Sequence, residues 1–485
     1  EGDLAPAQRL PAGRRDGRTR QGGEEMRWLA LIALLPAWLA AAEPLRLPEV
    51  LTAVKERYPP LLIAMIEQDI AAGRLRQADG AFDLGFTLRA GMVPKGYYDG
   101  SSGDVSLDQR LPFWGANVFA GYRRSSGLLA DYDKDRTQRD GEFRAGLRFN
   151  LLRDGPIDRQ RAERLKAKLD LGLADPFIER QQLDIIRSAT RSYYQWAAAG
   201  LRETVALEQL KVAQDRAAAL TEQAKKGMVA PIVVTDNERL IVSRQLIATQ
   251  ARRRFEAAAL ELSLFTRGPD DQPITPTRER LPKDLPAAEL PERMGDVSLL
   301  ESVAELRPEL RRVRLLKEKV EVDLRLARNA TLPNLDLTFG ITRNQGGGPY
   351  GDLKPEESRA GLEFRLPIQR NEALGRTQVS EAELRRLEQD LYFVRDRIRV
   401  EVKDGWSALA AAHELLGAAR RNVELSDLLV KAEQTRFKQG ATDLLALQIR
   451  EQALLEAQFS EVTAQADFFI ALADYRAAIA ADLRK

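Results

Sequence analysis

The residues best placed for chemistry stand around one glycine. Arg436, Phe437 and Lys438 precede Gly440, and Asp443 follows it. Two cations and a carboxylate on either side of a turn can form ion pairs that hold a tip closed. They can equally be solvated charges, with Arg436 and Lys438 at a helix C-terminus and Asp443 at the next helix start, each favoured by the helix dipole. Phe437 either packs into a helical seam or touches a partner. A second glycine, Gly227, follows Lys225 and Lys226 in the same manner. A glycine just past the last turn, after cations, is the expected helix stop.

Little else suggests catalysis. His413 is the only histidine, and there are no cysteines. A disulfide framework, thiol chemistry, a Cys-based metal site and a lipid-modified Cys are thereby excluded. Gly346-Gly347-Gly348 is not a phosphate loop, because no Gly-Lys-Ser/Thr follows and no helix opens on it. The carboxylates lie on periodic helical faces, and none pairs for acid–base work. No enzymatic activity, cofactor or metal is expected. A net charge of only +2 gives no reason to expect nucleic acid.

The elements that position the glycines come twice. Gly227, Glu238, Gln245, Ala251 and Phe255 recur at one fixed offset as Gly440, Glu451, Gln458, Ala464 and Phe468. Leu51-x-x-Val54-x-Glu56-x-x-Pro59-x-Leu61 returns as Leu300-x-x-Val303-x-Glu305-x-x-Pro308-x-Leu310. The strand Gly146–Leu151 matches Gly361–Leu366. A tandem repeat follows, one copy over residues 43–266 and the other over 298–485. Residues 267–297, with Pro269, Pro273, Pro276, Pro282, Pro286 and Pro291, read as a linker draped over the helices.

Each copy reads helix, strands, very long helix, glycine turn, returning helix. The opening helix of the first copy covers 48–79, broken at Pro59-Pro60. Period-two alternation marks strands at 82–91, 104–111, 116–124, 142–151, 335–344 and 358–366. The hairpin near 104–124 has no counterpart in the second copy. Long helices over 158–226 and 376–439 each span on the order of 100 Å at ~1.5 Å per residue. Leu409, Leu416, Val423, Val430 and Phe437 lie seven apart, with small Ala412, Ala419 and Ser426 beside them, as coiled-coil packing requires. Returning helices cover 232–266 and 443–481, and Pro231 and Asp443 mark their starts. Opening plus returning helix nearly equals one long helix, so the pair can stack end to end antiparallel to it.

The N-terminus divides in two. Residues 1–25 are rich in Pro, Gly and Arg and are expected to be disordered, or upstream sequence from a mistaken start. Residues 26–42 have a charged beginning, an apolar run from Trp28 to Ala41 and an A-x-A site, the pattern of a signal peptide. No later stretch is apolar for 18 residues, so no spanning helix is expected.

These pieces resemble the TolC-like outer membrane efflux family. The resemblance runs over residues 45–482. It rests on the repeat, the Pro-broken opening helix, the strand ending Leu366-Pro367 before a long helix, and the tip Arg436-Phe437-Lys438-Gln439-Gly440-Ala441-Thr442-Asp443-Leu444-Leu445. It implies an α+β membrane channel in the outer membrane, made of a long coiled-coil α-helical barrel and a transmembrane β-barrel formed by oligomerisation. It further implies a homotrimer with four strands per chain in one barrel of twelve, surrounded by outer-membrane lipid. Its implied partners are a periplasmic adaptor (membrane fusion) protein and an inner-membrane RND or ABC transporter, in efflux or type I secretion. Gly227, Gly440 and Phe437 become candidate docking tips, and Asp443, with Arg436 and Lys438, a candidate periplasmic gate. Ala446 and Val233 stand where an acidic gate would place further carboxylates.

Physical reasoning supports the oligomer independently. Four to six strands cannot close a barrel, and open edges are not tolerated in lipid. The competing expectation is a soluble periplasmic coiled-coil adaptor or scaffold. The strands discriminate, since a membrane wall needs one apolar face with aromatics near its edges. An ordinary porin is excluded, because it needs many more strands and no 100 Å helices.

Overall fold

The computed structural model describes residues 43–129, 136–291, 297–348 and 350–483, with the side chains of 297–300 left aside. The expected disordered segment and signal peptide, residues 1–42, lie outside the described residues.

Proline sets the first break of each repeat. It lacks an N–H and holds the residue before it extended. Tyr58 (φ −79°, ψ 115°) therefore separates α1 (Leu47–Arg57) from α2 (Pro59–Asp79). Arg307 (φ −70°, ψ 130°) separates α5 (Val297–Leu306) from α6 (Pro308–Asn329). The long helices are α3 (Arg159–Lys225) and α7 (Asn371–Lys438), and the returning helices are α4 (Pro231–Ser263) and α8 (Leu444–Ala478).

Between α2 and α3 run β1 (Leu84–Val93), β2 (Gly100–Arg110), β3 (Asn117–Gly127) and β4 (Glu142–Asn150). Between α6 and α7 run β5 (Asn334–Asn344) and β6 (Glu356–Arg365). Together they form one antiparallel sheet in the order β1-β2-β3-β4-β5-β6. β4 pairs with β5, from Asn150 opposite Asp336 to Glu142 opposite Asn344, and so joins the two repeats. The described residues thus carry six strands in this sheet, where the resemblance implies four. The hairpin without a counterpart is not set apart, because β2 pairs β1 and β3 pairs β4 along their lengths. Phe82 falls in a short 3-10 turn before β1 rather than in the strand.

The end-to-end stacking is present. α3 packs against α1 and α2 and against α4, and α7 packs against α6 and α8. α3 also packs against α6 and α8 of the other repeat. The consequence is visible in burial: α3 buries 20 of its 67 residues and α7 only 11 of its 68. The α7 residues that are buried form a narrow seam. Leu409, Leu416 and Val430 are buried, and Val423 and Phe437 are partly so. Ala373, Ser380 and Leu387 form a second run spaced by seven near the start of the helix, one residue out of phase with the first.

The main core lies where the helical segments meet. Trp196, Phe468, Leu262, Leu310, Leu409 and Tyr475 are almost completely enclosed. Gly200 is required there by space, because a Cβ would fall within 2.5 Å of Leu281 of the linker and 2.9 Å of Phe255. Two contacts tie residues 267–291 to the helical core. Leu285 is buried, and the Arg280 carbonyl accepts from the Leu45 N–H at 2.8 Å.

Candidate channel wall and helical tips

Alternation divides the sheet into two unlike faces. One cross-strand row reads Leu84, Gln109, Val118, Leu147, Phe339, Ala360, and the next reads Phe86, Leu107, Ala120, Ala145, Ile341, Ser358. Leu84, Phe86, Leu88, Leu362 and Phe364 are well exposed on this apolar face. Aromatic side chains mark its ends. Tyr122 and Phe143 lie 4.8 Å apart at the end far from the helices, and Phe149 and Phe364 stand at the helical end.

The opposite face is charged. Asp104 of β2 accepts from Arg123 Nε of β3 at 3.0 Å and from Arg144 of β4 at 2.5 Å. Arg123 also lies 4.0 Å from Glu142. Asp108, Arg148, Arg359 and Glu363 share this face by register. Such a sheet can stand between hydrocarbon and water. Its outermost strands, β1 and β6, each have one unpaired side. Beyond the far end, the β3–β4 and β5–β6 connections are stitched together. Gln138 Nε2 donates to the Tyr350 carbonyl at 2.7 Å, and the Tyr350 hydroxyl donates to the Gly127 carbonyl at 3.2 Å.

The two helical tips share one backbone device. Gly227 and Gly440 both have φ +71°, a conformation that a side chain disfavours. The Met228 N–H reaches the Gln223 carbonyl at 2.9 Å, and the Ala441 N–H reaches the Arg436 carbonyl at 2.9 Å. Both are the closing bond of a Schellman stop. Nothing lies within 4 Å of a Cβ at either glycine, so the requirement is for φ and not for space.

The charged candidates are distributed rather than clustered. Asp443 is the N-cap of α8, its Oδ1 accepting from the Ala446 N–H at 2.8 Å. Arg436 turns back one helical turn to Glu433 at 3.2 Å. Among the described residues no ion pair joins Asp443 to Arg436 or Lys438. Phe437 is half-buried at the end of the α7 seam. His413 lies 5.8 Å from the Phe468 ring, a packing contact.

A buried polar cluster behind the tips went unnoticed in the sequence. Arg216 of α3 pairs with Glu451 of α8, and Arg244 of α4 donates to Gln452 of α8 at 2.6 Å. Burial pulls the Arg244 guanidinium below its ordinary value; the Glu451 and Glu456 carboxylates oppose this and Arg216 adds to it. The available signal was spacing: Gln448 and Glu451 fall on the same buried face as Leu447, Leu454 and Leu455.

A sheet with one apolar and one ionised face, continuous with two helical hairpins of this length, is a specific combination. Residues 299–481 match the family model for outer membrane efflux proteins. That match covers most of the second repeat, and over these residues the chain is similar to outer membrane efflux proteins. Its fold is that of solved outer-membrane proteins. The outer-membrane channel OprN is 17% identical, with 89% of each chain covered and a TM-score of 0.66. The open-state MtrE channel of Neisseria gonorrhoeae is also 17% identical, covers 90% of this chain and 88% of its own, and has a TM-score of 0.66. VceC of Vibrio cholerae is 18% identical, covers 89% and 95% respectively, and has a TM-score of 0.65. No curated protein matches the sequence. Among the described residues, no helix is long and apolar enough to cross a membrane.

Proposed function

We propose that this protein is a passive outer-membrane duct, working as a homotrimer in a tripartite efflux assembly. The observation that carries the proposal is the two-faced sheet with an unpaired β1 and β6. A backbone edge cannot remain unpaired in lipid, so β1 of one copy pairs with β6 of the next until the ring closes. The apolar face then meets lipid and the ionised face meets water.

The helices supply a second interface. Ile63, Ile66 and Ile70 on α2, and Phe393, Leu415 and Leu428 on α7, are exposed in the single chain. A neighbouring copy that covers these stripes closes the helical tube.

In this scheme Gly227, Gly440 and Phe437 sit at the periplasmic end, where a periplasmic adaptor docks. The adaptor connects the duct to an RND or ABC transporter of the inner membrane. Three copies of Asp443, beside Arg436 and Lys438, line the mouth. A duct of this kind serves drug efflux or type I secretion, and deletion of the gene separates them: one loses resistance, the other a secreted protein.

Membrane fractionation tests the reading. The protein is expected in the outer-membrane fraction and to require detergent for extraction. Full release into a detergent-free periplasmic extract would overturn the reading in favour of a soluble coiled-coil scaffold.

A further inference from the structure

The hairpin present only in the first repeat changes the predicted width of the barrel. Resting on the trimeric channel reading above, we propose that β2 and β3 are membrane wall, so that three protomers of six strands close an eighteen-stranded barrel.

Three observations carry this. The first is register: β2 pairs β1 from Gln109 opposite Leu84 to Gly100 opposite Val93, and pairs β3 from Arg110 opposite Asn117 to Gly100 opposite Gly127. A hairpin folded aside as a cap would leave β1 and β4 to pair with each other. The second is chemistry. Val105, Leu107 and Val118 continue the apolar face, and Asp104 and Arg123 continue the ionised one. Asp104 is held by Arg144 of β4, so the charged row runs through the hairpin without a gap. The third is the turn that joins β2 to β3. The Leu111 N–H donates to the Ala116 carbonyl at 2.8 Å, and Phe113 and Trp114 stand exposed between them. These rings share a hollow with Ile157 before α3 and Leu332 after α6, at the helical end of the sheet. Aromatic side chains at that level suit the boundary between hydrocarbon and water.

Strand number sets width. With strands ~4.8 Å apart and tilted about 40°, twelve enclose a backbone diameter of about 24 Å and eighteen about 36 Å. The helical tube gains nothing from the extra hairpin, because no helix accompanies it. The outer mouth is therefore wider than the tube beneath it, and the barrel is not the constriction. Solutes that pass the periplasmic tip leave through a broad, charge-lined vestibule.

The absence of native cysteines makes a site-by-site test clean. Leu107→Cys on β2 and Phe86→Cys on β1 each receive a bimane label, and the trimer is placed in vesicles containing doxyl-labelled phosphatidylcholine. Wall residues lose emission to the lipid quencher. The expected result is quenching of the Leu107 label within twofold of the Phe86 label. Quenching of the Phe86 label alone overturns the proposal and leaves the channel reading standing. Quenching of neither overturns both. Strand counting by electron cryomicroscopy of the unsubstituted trimer gives the same decision without a variant: eighteen supports the wide wall, and twelve contradicts it.

Discussion

The two repeats break their opening helix with the same backbone and clamp the break with opposite chemistry. In the first, Tyr58 precedes Pro59, and its ring stacks on Phe265 at 5.1 Å. In the second, Arg307 precedes Pro308 and is only 2% exposed. Its guanidinium donates to the carbonyls of Ala477 and Ala478 at 3.1 and 2.8 Å, capping the C-terminus of α8. It also reaches Glu309 and Glu401, each at 2.8 Å. Arg180 of α3 joins Glu309 at 2.5 Å. The hub thus ties α3, α6, α7 and α8. Proline fixes the geometry of a break, and the surroundings decide what side chain may sit there. The second break faces a helix end and must answer its unpaired carbonyls; the first faces an aromatic ring.

The comparison breaks most readily at Arg307. Arg307→Met keeps bulk but leaves the two helix-end carbonyls without their donor and Glu309 with Arg180 as its remaining charged partner. A loss of about 2–3 kcal/mol is expected, the cost of buried acceptors left without a donor. Thermal melting of the detergent-solubilised protein measures it. A loss no greater than that of Tyr58→Ala would show that the two clamps are equivalent.

Acid sharpens the same contrast. Burial alone would raise the Glu309 carboxyl, but Arg307 and then Arg180 hold it below the ordinary carboxylate range. Its contribution is therefore complete above the unfolded value of about 4.3 and is lost as pH falls through the lower folded value. The second repeat is expected to loosen first below about pH 4, while pH 5 to 8 changes little through this group. Glu309→Gln removes that acid step. An unchanged acid melting profile in Glu309→Gln would count against the hub.

Tyr58→Ala is milder. Tyr58 is half-buried and, among the described residues, forms no ion pair, so roughly 1–2 kcal/mol of ring packing is at stake. Hydrogen exchange across α1 and α2 should rise, with α5 and α6 unaffected. Exchange that spreads equally into the second repeat would contradict independent clamps.

The tips give the smallest expected effect on stability. α8 starts on Asp443 with a side-chain cap, whereas α4 starts on Ala230 with none and has Pro231 at its first position. Asparagine caps nearly as well as aspartate, so Asp443→Asn should cost less than about 1 kcal/mol. If three Asp443 carboxylates line the mouth, cation selectivity and block by multivalent cations fall in planar-bilayer recordings. Identical recordings would leave Asp443 a helix cap only.

These contrasts show what the sequence could carry. Gly227 and Gly440 were legible because a positive φ at a helix stop nearly demands glycine. The long helices were legible from their seven-residue spacing, and the strand faces from Phe86, Leu88, Leu337 and Phe339. Arg307 was not. Between Leu306 and Pro308 in a charge-rich stretch, it reads as surface, and its partners Glu401 and Ala478 are distant in the chain. The cluster of Arg216, Arg244 and Glu451 escaped for the same reason, since each lies on a different helix. The place of the extra hairpin needed pairing partners that alternation does not name.

The central claim, that copies of this chain share one barrel by joining β1 to β6, has a direct test. Arg89→Cys on β1 and Arg359→Cys on β6 both face the charged side of the sheet, on strands at opposite edges. A flexible bis-maleimide applied to outer membranes of the double variant should give a ladder of dimer and trimer that stops at three, with neither band in the single variants. Monomer alone, or a ladder that continues past three, would contradict a closed ring of three chains.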